Sequence, residues 1–178
     1  MQEINMPPFA PVLMESTRAL GYSAEAAIAD VIDNSISAGA TMISLRFSPF
    51  NHAYVSILDN GCGMTSDELN IAMRYGSSSP LNIRPDNDLG RFGLGLKTAS
   101  LSQCRRLTVI SKKNGTVSAR RWDLDVVRKK QDWVLLVLEE AEYSILPHCD
   151  SLNSLETGTL VIWNEFDRFG AGSINLEN

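Results

Sequence analysis

No apolar run in this 178-residue chain is long enough to cross a bilayer; the longest, residues 133–138, is far too short. Cysteine is scarce. Cys62, Cys104 and Cys149 are odd in number and widely spaced, which fits neither a disulfide framework nor a zinc site and implies a reducing compartment. The N-terminus carries Pro7, Pro8 and Pro11 and lacks the apolar centre of a signal peptide. These absences lead us to expect a soluble, cytoplasmic protein with no membrane partner. A positive excess is lacking too: the net charge of −5 excludes a generally basic, nucleic-acid-coating surface. There is no internal repeat and no low-complexity tract. What is present, 44% hydrophobic and 21% charged residues, is the composition of an ordinary globular domain, and the length predicts a single domain over 1–178.

Residues 12–20 read as a helix ended by Gly21. Ser23 then N-caps a second helix, with Glu25 in its first turn, running to about residue 37 and stopped by Gly39. In that helix Ile28, Ile32 and Ile36 form an apolar row expected to anchor it in the core. Strands follow at 41–47 and 54–58, and Thr65 with Glu68 makes a capping box that opens a helix ending near Tyr75. The stretch 76–87, with three serines and two prolines, reads as a mobile loop, and a glycine-rich segment then leads into a helix to about residue 103. A hairpin at 107–111 and 116–122 turns at Asn114-Gly115, and further strands are expected at 133–138 and 159–163. Helices and strands do not alternate as βαβ units. The expected class is therefore α+β: a two-layer sandwich whose mixed, mostly antiparallel sheet is covered on one face by helices.

Three segments carry chemistry. On the second helix Asp30 and Asn34 are four residues apart and share a face. An amide oxygen there suits Mg²⁺, and a neighbouring carboxylate can orient or deprotonate water. Next, Asp59-Asn60-Gly61-Cys62-Gly63-Met64 follows an apolar strand. A buried Asp59 would accept from the exocyclic amine of adenine, Gly61 and Gly63 would let the ring approach, and Met64 would be an adaptable apolar wall. Third, Gly90-Arg91-Phe92-Gly93-Leu94-Gly95-Leu96-Lys97 opens a helix, where free amides and the dipole make an anion site and Lys97 adds a point charge. The P-loop pattern fails here, because Leu96 separates Gly95 from Lys97 and no strand precedes. A late strand opening at Gly158-Thr159 offers a hydroxyl for the adenine. Each segment alone is commonplace: a solvated polar pair, a tight turn, a helix start.

All four occur in order, and in this the chain resembles the GHKL, or Bergerat-fold, ATPases: gyrase, MutL and histidine kinases. Asp33-Asn34-Ser35 followed by Ala38, and the 93–97 segment, look most like Morc-type and bacterial Morc-related ATPases, with MutL more distant. The resemblance implies ATP with Mg²⁺, Asn34 as metal ligand and Asp30 with Lys97 as catalytic groups. Nucleotide contacts would come from Asn34, Ala38, Asp59, Gly61, Gly63, Met64, the segment 90–97 and Thr159, with 76–92 as a lid. It also implies slow hydrolysis, with lid closure and homodimerisation driving a DNA- or protein-directed machine. Asp30 is one methylene shorter than the Glu usual in hydrolytic members, and Ser37 replaces a frequent Asp. The relatives' second-domain lysine has no counterpart here, so the chain is expected to be the N-terminal part of a longer protein. A histidine-kinase-type catalytic domain and a non-hydrolysing nucleotide sensor remain as alternatives. Finally, nine of the sixteen Lys and Arg fall within 105–130. Such a stretch offers a DNA contact or, more plainly, edge-strand charge that deters aggregation.

Overall fold

The computed structural model describes residues 3–4, 6–19, 22–50, 52–76 and 95–167. In chain order these form α1 (Ala10–Arg18), α2 (Ala24–Ser37), β1 (Ile43–Ser48), β2 (Tyr54–Asp59), α3 (Ser66–Met73) and α4 (Gly95–Gln103). Then come β3 (Cys104–Lys113), β4 (Thr116–Asp123), α5 (Leu124–Lys130), β5 (Leu136–Val137), α6 (Glu140–Tyr143), α7 (Cys149–Asn153) and β6 (Gly158–Phe166). The six strands lie in the order β1-β2-β6-β3-β4-β5, and every pairing is antiparallel. The last strand thus threads between β2 and β3, which brings Gly158 and Thr159 to the centre of the sheet. The α+β sandwich expected from the sequence is the fold observed.

Strand alternation sends side chains to opposite faces and so sorts two cores. Val55 and Ile57, Leu107 and Val109, Val161 and Trp163 face the main helical layer, where they meet Ala10, Met14, Ala27, Val31, Leu69, Met73, Ala99 and Leu101. Leu58, Ile110, Leu160 and Ile162 face the other way, onto a smaller cluster closed by Leu138, Cys149 and Leu152. The second face is therefore not bare: residues 136–155, with the short α6 and α7, cover part of it.

Local signals set the element ends. Ser23 accepts from the Ala26 amide at 3.2 Å, and Gly39 follows α2 at φ +73°. Thr65 and Glu68 form both halves of the capping box. Asn114 and Gly115 both have positive φ, 53° and 74°, as a type I′ hairpin turn requires.

Two expectations are corrected. The buried row of α2 is Ala27, Val31 and Ser35; Ile28 is only partly buried, and Ile36 is 53% exposed. The buried face of α2 carries these smaller residues, and its isoleucines lie on the flanks. The strand at 133–138 shrinks to two residues of β5, because Trp133 joins an aromatic group with Tyr75 and Trp122, at centroid distances of 5.1 and 6.2 Å. As a further finding, residues 124–130, where no element was expected, form a helix. Asp123 caps it by accepting from the Asp125 and Val126 amides, Arg128, Lys129 and Lys130 sit at its negative end, and Gln131 closes it at φ +58°.

Candidate functional site

One row of polar side chains crosses the centre of the sheet on the helical side. Asp59 of β2 pairs in register with Thr159 of β6, and Thr159 with Ser111 of β3. All three share the parity of Ile57, Val161 and Val109, so they face α2. Asp59 is 4% exposed and has no ion-pair partner among the described residues. Its Oδ2 accepts from Ser35 Oγ at 2.8 Å and its Oδ1 from the Gly61 amide at 2.9 Å. A carboxylate has about four acceptor positions, so two neutral donors hold it in place and leave it further capacity.

The 60–64 turn is fastened from several sides. Cys62 N donates to Ala38 O at 3.0 Å, Thr157 Oγ1 to Gly61 O at 2.8 Å, and Met64 N to Ser111 Oγ at 2.8 Å. A Cβ on Gly61 would come within 2.9 Å of the Ala38 Cβ. At Gly63, φ is +63° and a Cβ would lie 2.1 Å from the Lys112 carbonyl oxygen. The obstacle is β3 backbone, which cannot yield without unpairing the sheet. Gly63→Ala is therefore expected to cost on the order of 3 kcal/mol. That corresponds to a melting temperature lower by about 6–12 °C in nucleotide-free protein. The control is Gly115→Ala, which has positive φ but nothing within 4 Å; equal losses in both would mean that the close approach to β3 is immaterial.

The other end of the site lies along α2. Asp30 and Ser35 are five residues apart, about 7.5 Å of helix rise. Asn34 Nδ2 donates to the Asp30 carbonyl at 2.8 Å, which turns its amide oxygen away from the helix, and that oxygen has no partner among the described residues. A Cβ on Gly95 would be 3.9 Å from Asp30 Oδ2, so the start of α4 stands opposite the Asp30 carboxylate. Tyr22 is the third neighbour; desolvation, a hydrogen bond with Asp30 and the charge of Asp30 all raise its pKa.

Lys97 has another engagement. It is 1% exposed, its Nζ donates to Ala72 O of α3 at 2.6 Å, and burial lowers its pKa to about 8. It clasps α3 to α4, and a phosphate contact would require that bond to break. Leu96 packs against the main core. Gly90, Arg91, Phe92, Gly93 and Leu94, and all but the first residue of the 76–87 loop, lie outside the described residues.

The structure thus brings together Asp30, Asn34, Ala38, Asp59, Gly61, Gly63, Met64, Gly95 and Thr159. Ser35, quoted above only as part of a motif, supports them, as do Ser111, Thr157 and Tyr22, which were not identified from the sequence. Ser111 had a usable signal, a hydroxyl at an inward position of an apolar strand. Tyr22, just before a helix cap, had none.

The basic stretch does not make one surface. Arg105 pairs with Asp125 and Asp167, Arg106 with Asp123 and Glu165, Lys113 with Glu68, and Arg128 with Glu15. Arg120 is buried against Asn70 and Ser66. Lys129 and Lys130, at the end of α5, are exposed.

The profile described as "Histidine kinase-, DNA gyrase B-, and HSP90-like ATPase" matches residues 22–159. Among curated proteins, the DNA mismatch repair protein MutL of Paramagnetospirillum magneticum is 33% identical over 104 residues, 56% of this chain and 16% of MutL. ATPase morc-1 of Caenorhabditis elegans is 31% identical over 94 residues, 52% of this chain and 11% of that protein. The match spans less than a fifth of either relative.

Proposed function

We propose, from the premise that the chain belongs to the histidine kinase-, DNA gyrase B- and HSP90-like ATPase family, that it binds ATP with Mg²⁺ between α2 and the sheet and hydrolyses it slowly. The observation that carries this is the placement of Asp59, buried and held by Ser35 and Gly61 beside Thr159. It lies at one end of the same helix that presents Asp30 to the start of α4 and carries Asn34 one turn further along. Asp59 and Thr159 receive the adenine amine, with Gly61, Gly63, Ala38 and Met64 shaping the slot. The triphosphate then runs towards α4, whose first amides and dipole favour anionic oxygen.

Asn34 fits a hard cation, because its nitrogen is spent on the helix and its oxygen is free. When bound, Mg²⁺ would neutralise phosphate charge. Asp30, opposite the α4 start and beside Tyr22, accepts the proton of the attacking water. Lid closure by 76–92, homodimerisation and the driving of a DNA- or protein-directed machine belong to this proposal. MutL, a DNA mismatch repair protein, supports the DNA-directed form. For a DNA contact within 105–130, Lys129 and Lys130 are exposed cations without an ion pair among the described residues. Of this chain's two histidines, His148 is buried against Ser44 and Ser56, and His52 is exposed but lies on no helix, so neither matches the helix-borne phosphoacceptor of the histidine-kinase alternative.

Mg·ATP is expected to raise the melting temperature, since binding to the folded state alone adds about 2.7 kcal/mol at a hundredfold excess over Kd. For a domain of this size that is about 5–11 °C. Asn34→Ala should remove the Mg²⁺-dependent part and spare most of the rest. A melting curve indifferent to millimolar Mg·ATP refutes the proposal.

A further inference from the structure

Ser111 is fully buried, and three groups crowd its hydroxyl oxygen. Met64 N lies at 2.8 Å, Gly158 O at 3.0 Å and Thr159 Oγ1 at 2.9 Å. Hydrogen counting orients this cluster. The Met64 amide can only donate, and the Gly158 carbonyl can only accept. Ser111 has one proton, so its bond to Gly158 consumes it. The contact with Thr159 must then use the proton of Thr159. This is the one arrangement in which all three contacts are hydrogen bonds; the reverse leaves the Gly158 contact empty in a buried place, where an unmet polar group costs about 1–3 kcal/mol.

The consequence falls on Thr159, which stays partly exposed on the helical side of the sheet. With its proton drawn towards Ser111, it presents only lone pairs. Its in-register neighbour Asp59, as a carboxylate, is also an acceptor alone. We propose that Ser111 is a positioning residue which fixes the direction of the Thr159 hydroxyl, so that the pocket selects a 6-amino purine over a 6-oxo purine. A 6-amino group offers hydrogens to both acceptors; a 6-oxo group sets a third acceptor against them. The proposal rests on the nucleotide reading of the site and deepens it.

The test is calorimetric binding of ATP and inosine triphosphate, which carries oxygen in place of the 6-amine and a hydrogen in place of the N1 lone pair. The variants are wild type, Ser111→Ala, Thr159→Val and the double variant. Wild type should favour ATP. Ser111→Ala frees Thr159 to turn its proton towards a 6-oxo group, and the ATP-to-inosine-triphosphate affinity ratio should fall at least tenfold. In the Thr159→Val background, adding Ser111→Ala should change the ratio by less than twofold, because the effect passes through Thr159. Ser111→Thr, which keeps the hydroxyl, should restore the ratio. Melting curves verify folding, and Ser111→Gly, which also lacks any side-chain acceptor, carries the same expectation as Ser111→Ala should the latter not fold. An unchanged ratio in Ser111→Ala, or a full effect persisting without the Thr159 hydroxyl, overturns the role of Ser111 and leaves nucleotide binding standing. Wild type binding both nucleotides equally also overturns it. Wild type binding neither removes the underlying reading of the site with it.

Discussion

Asp30→Asn is expected to abolish the residual ATP hydrolysis of this chain, by at least about a hundredfold in single-turnover rate, while leaving Mg·ATP affinity within a few-fold of wild type. The asymmetry follows from the division of labour along α2. Binding draws on Asp59, Asn34 and the α4 amides, none of which the change touches. Hydrolysis needs a group that takes a proton from water, and a carboxamide cannot. Wild-type turnover should itself be slow, since Asp30 is one methylene shorter than a glutamate and a displacement of about 1 Å can cost on the order of a hundredfold. Asp30→Glu is the complementary variant. It raises the rate if reach is limiting, and lowers it if the start of α4, where a Cβ on Gly95 would lie 3.9 Å from the carboxylate, leaves no room. The measurement is single-turnover hydrolysis at saturating Mg·ATP for all three proteins. A rate in Asp30→Asn equal to wild type would take Asp30 out of the mechanism and put the nucleotide-sensor alternative ahead.

Asp59→Asn should lower ATP affinity by about a hundredfold and erase the preference for ATP over GTP. The substituted amide can still meet its internal partners, with oxygen towards the Gly61 amide and nitrogen towards Ser35 Oγ. In that orientation it offers the adenine amine a donor where a carboxylate offered lone pairs. Two donors then face each other in a buried place, and a guanine oxygen becomes the better match. Because the protein contacts survive, the melting temperature without nucleotide should move far less than the affinity. Titration calorimetry with ATP and GTP decides it: wild-type ATP affinity in this variant would reduce Asp59 to a residue that shapes the turn.

The architecture and most of the site residues were legible because their signals are local. Ser23, Thr65 with Glu68, and Asn114-Gly115 act within four residues of themselves, and each does in the structure what its position implies. The α2 packing face was misjudged for the opposite reason. Hydrophobicity marked Ile28, Ile32 and Ile36, yet the face that tertiary packing buries is Ala27, Val31 and Ser35. Likewise the apolar run at 133–138 has strand character, but the aromatic contacts of Trp133 lie with Tyr75 and Trp122, far away in sequence. The cap and basic end of α5 were visible in Asp123 and Arg128-Lys129-Lys130; the charge of that stretch obscured them.

By itself the sequence determined the family, the order of the motifs and the residue types able to serve a nucleotide, since these depend on spacing and on what each side chain can chemically do. Only the tertiary structure decided how they are held. Insertion of β6 between β2 and β3 sets Asp59, Thr159 and Ser111 in one row, from segments as much as a hundred residues apart. The same packing turns Lys97 onto α3, brings Tyr22 to Asp30 and disperses the basic stretch into separate ion pairs. A hydrogen bond or ion pair acts over a few ångströms of space, and strand order, which no local pattern encodes, chooses which residues come within that range.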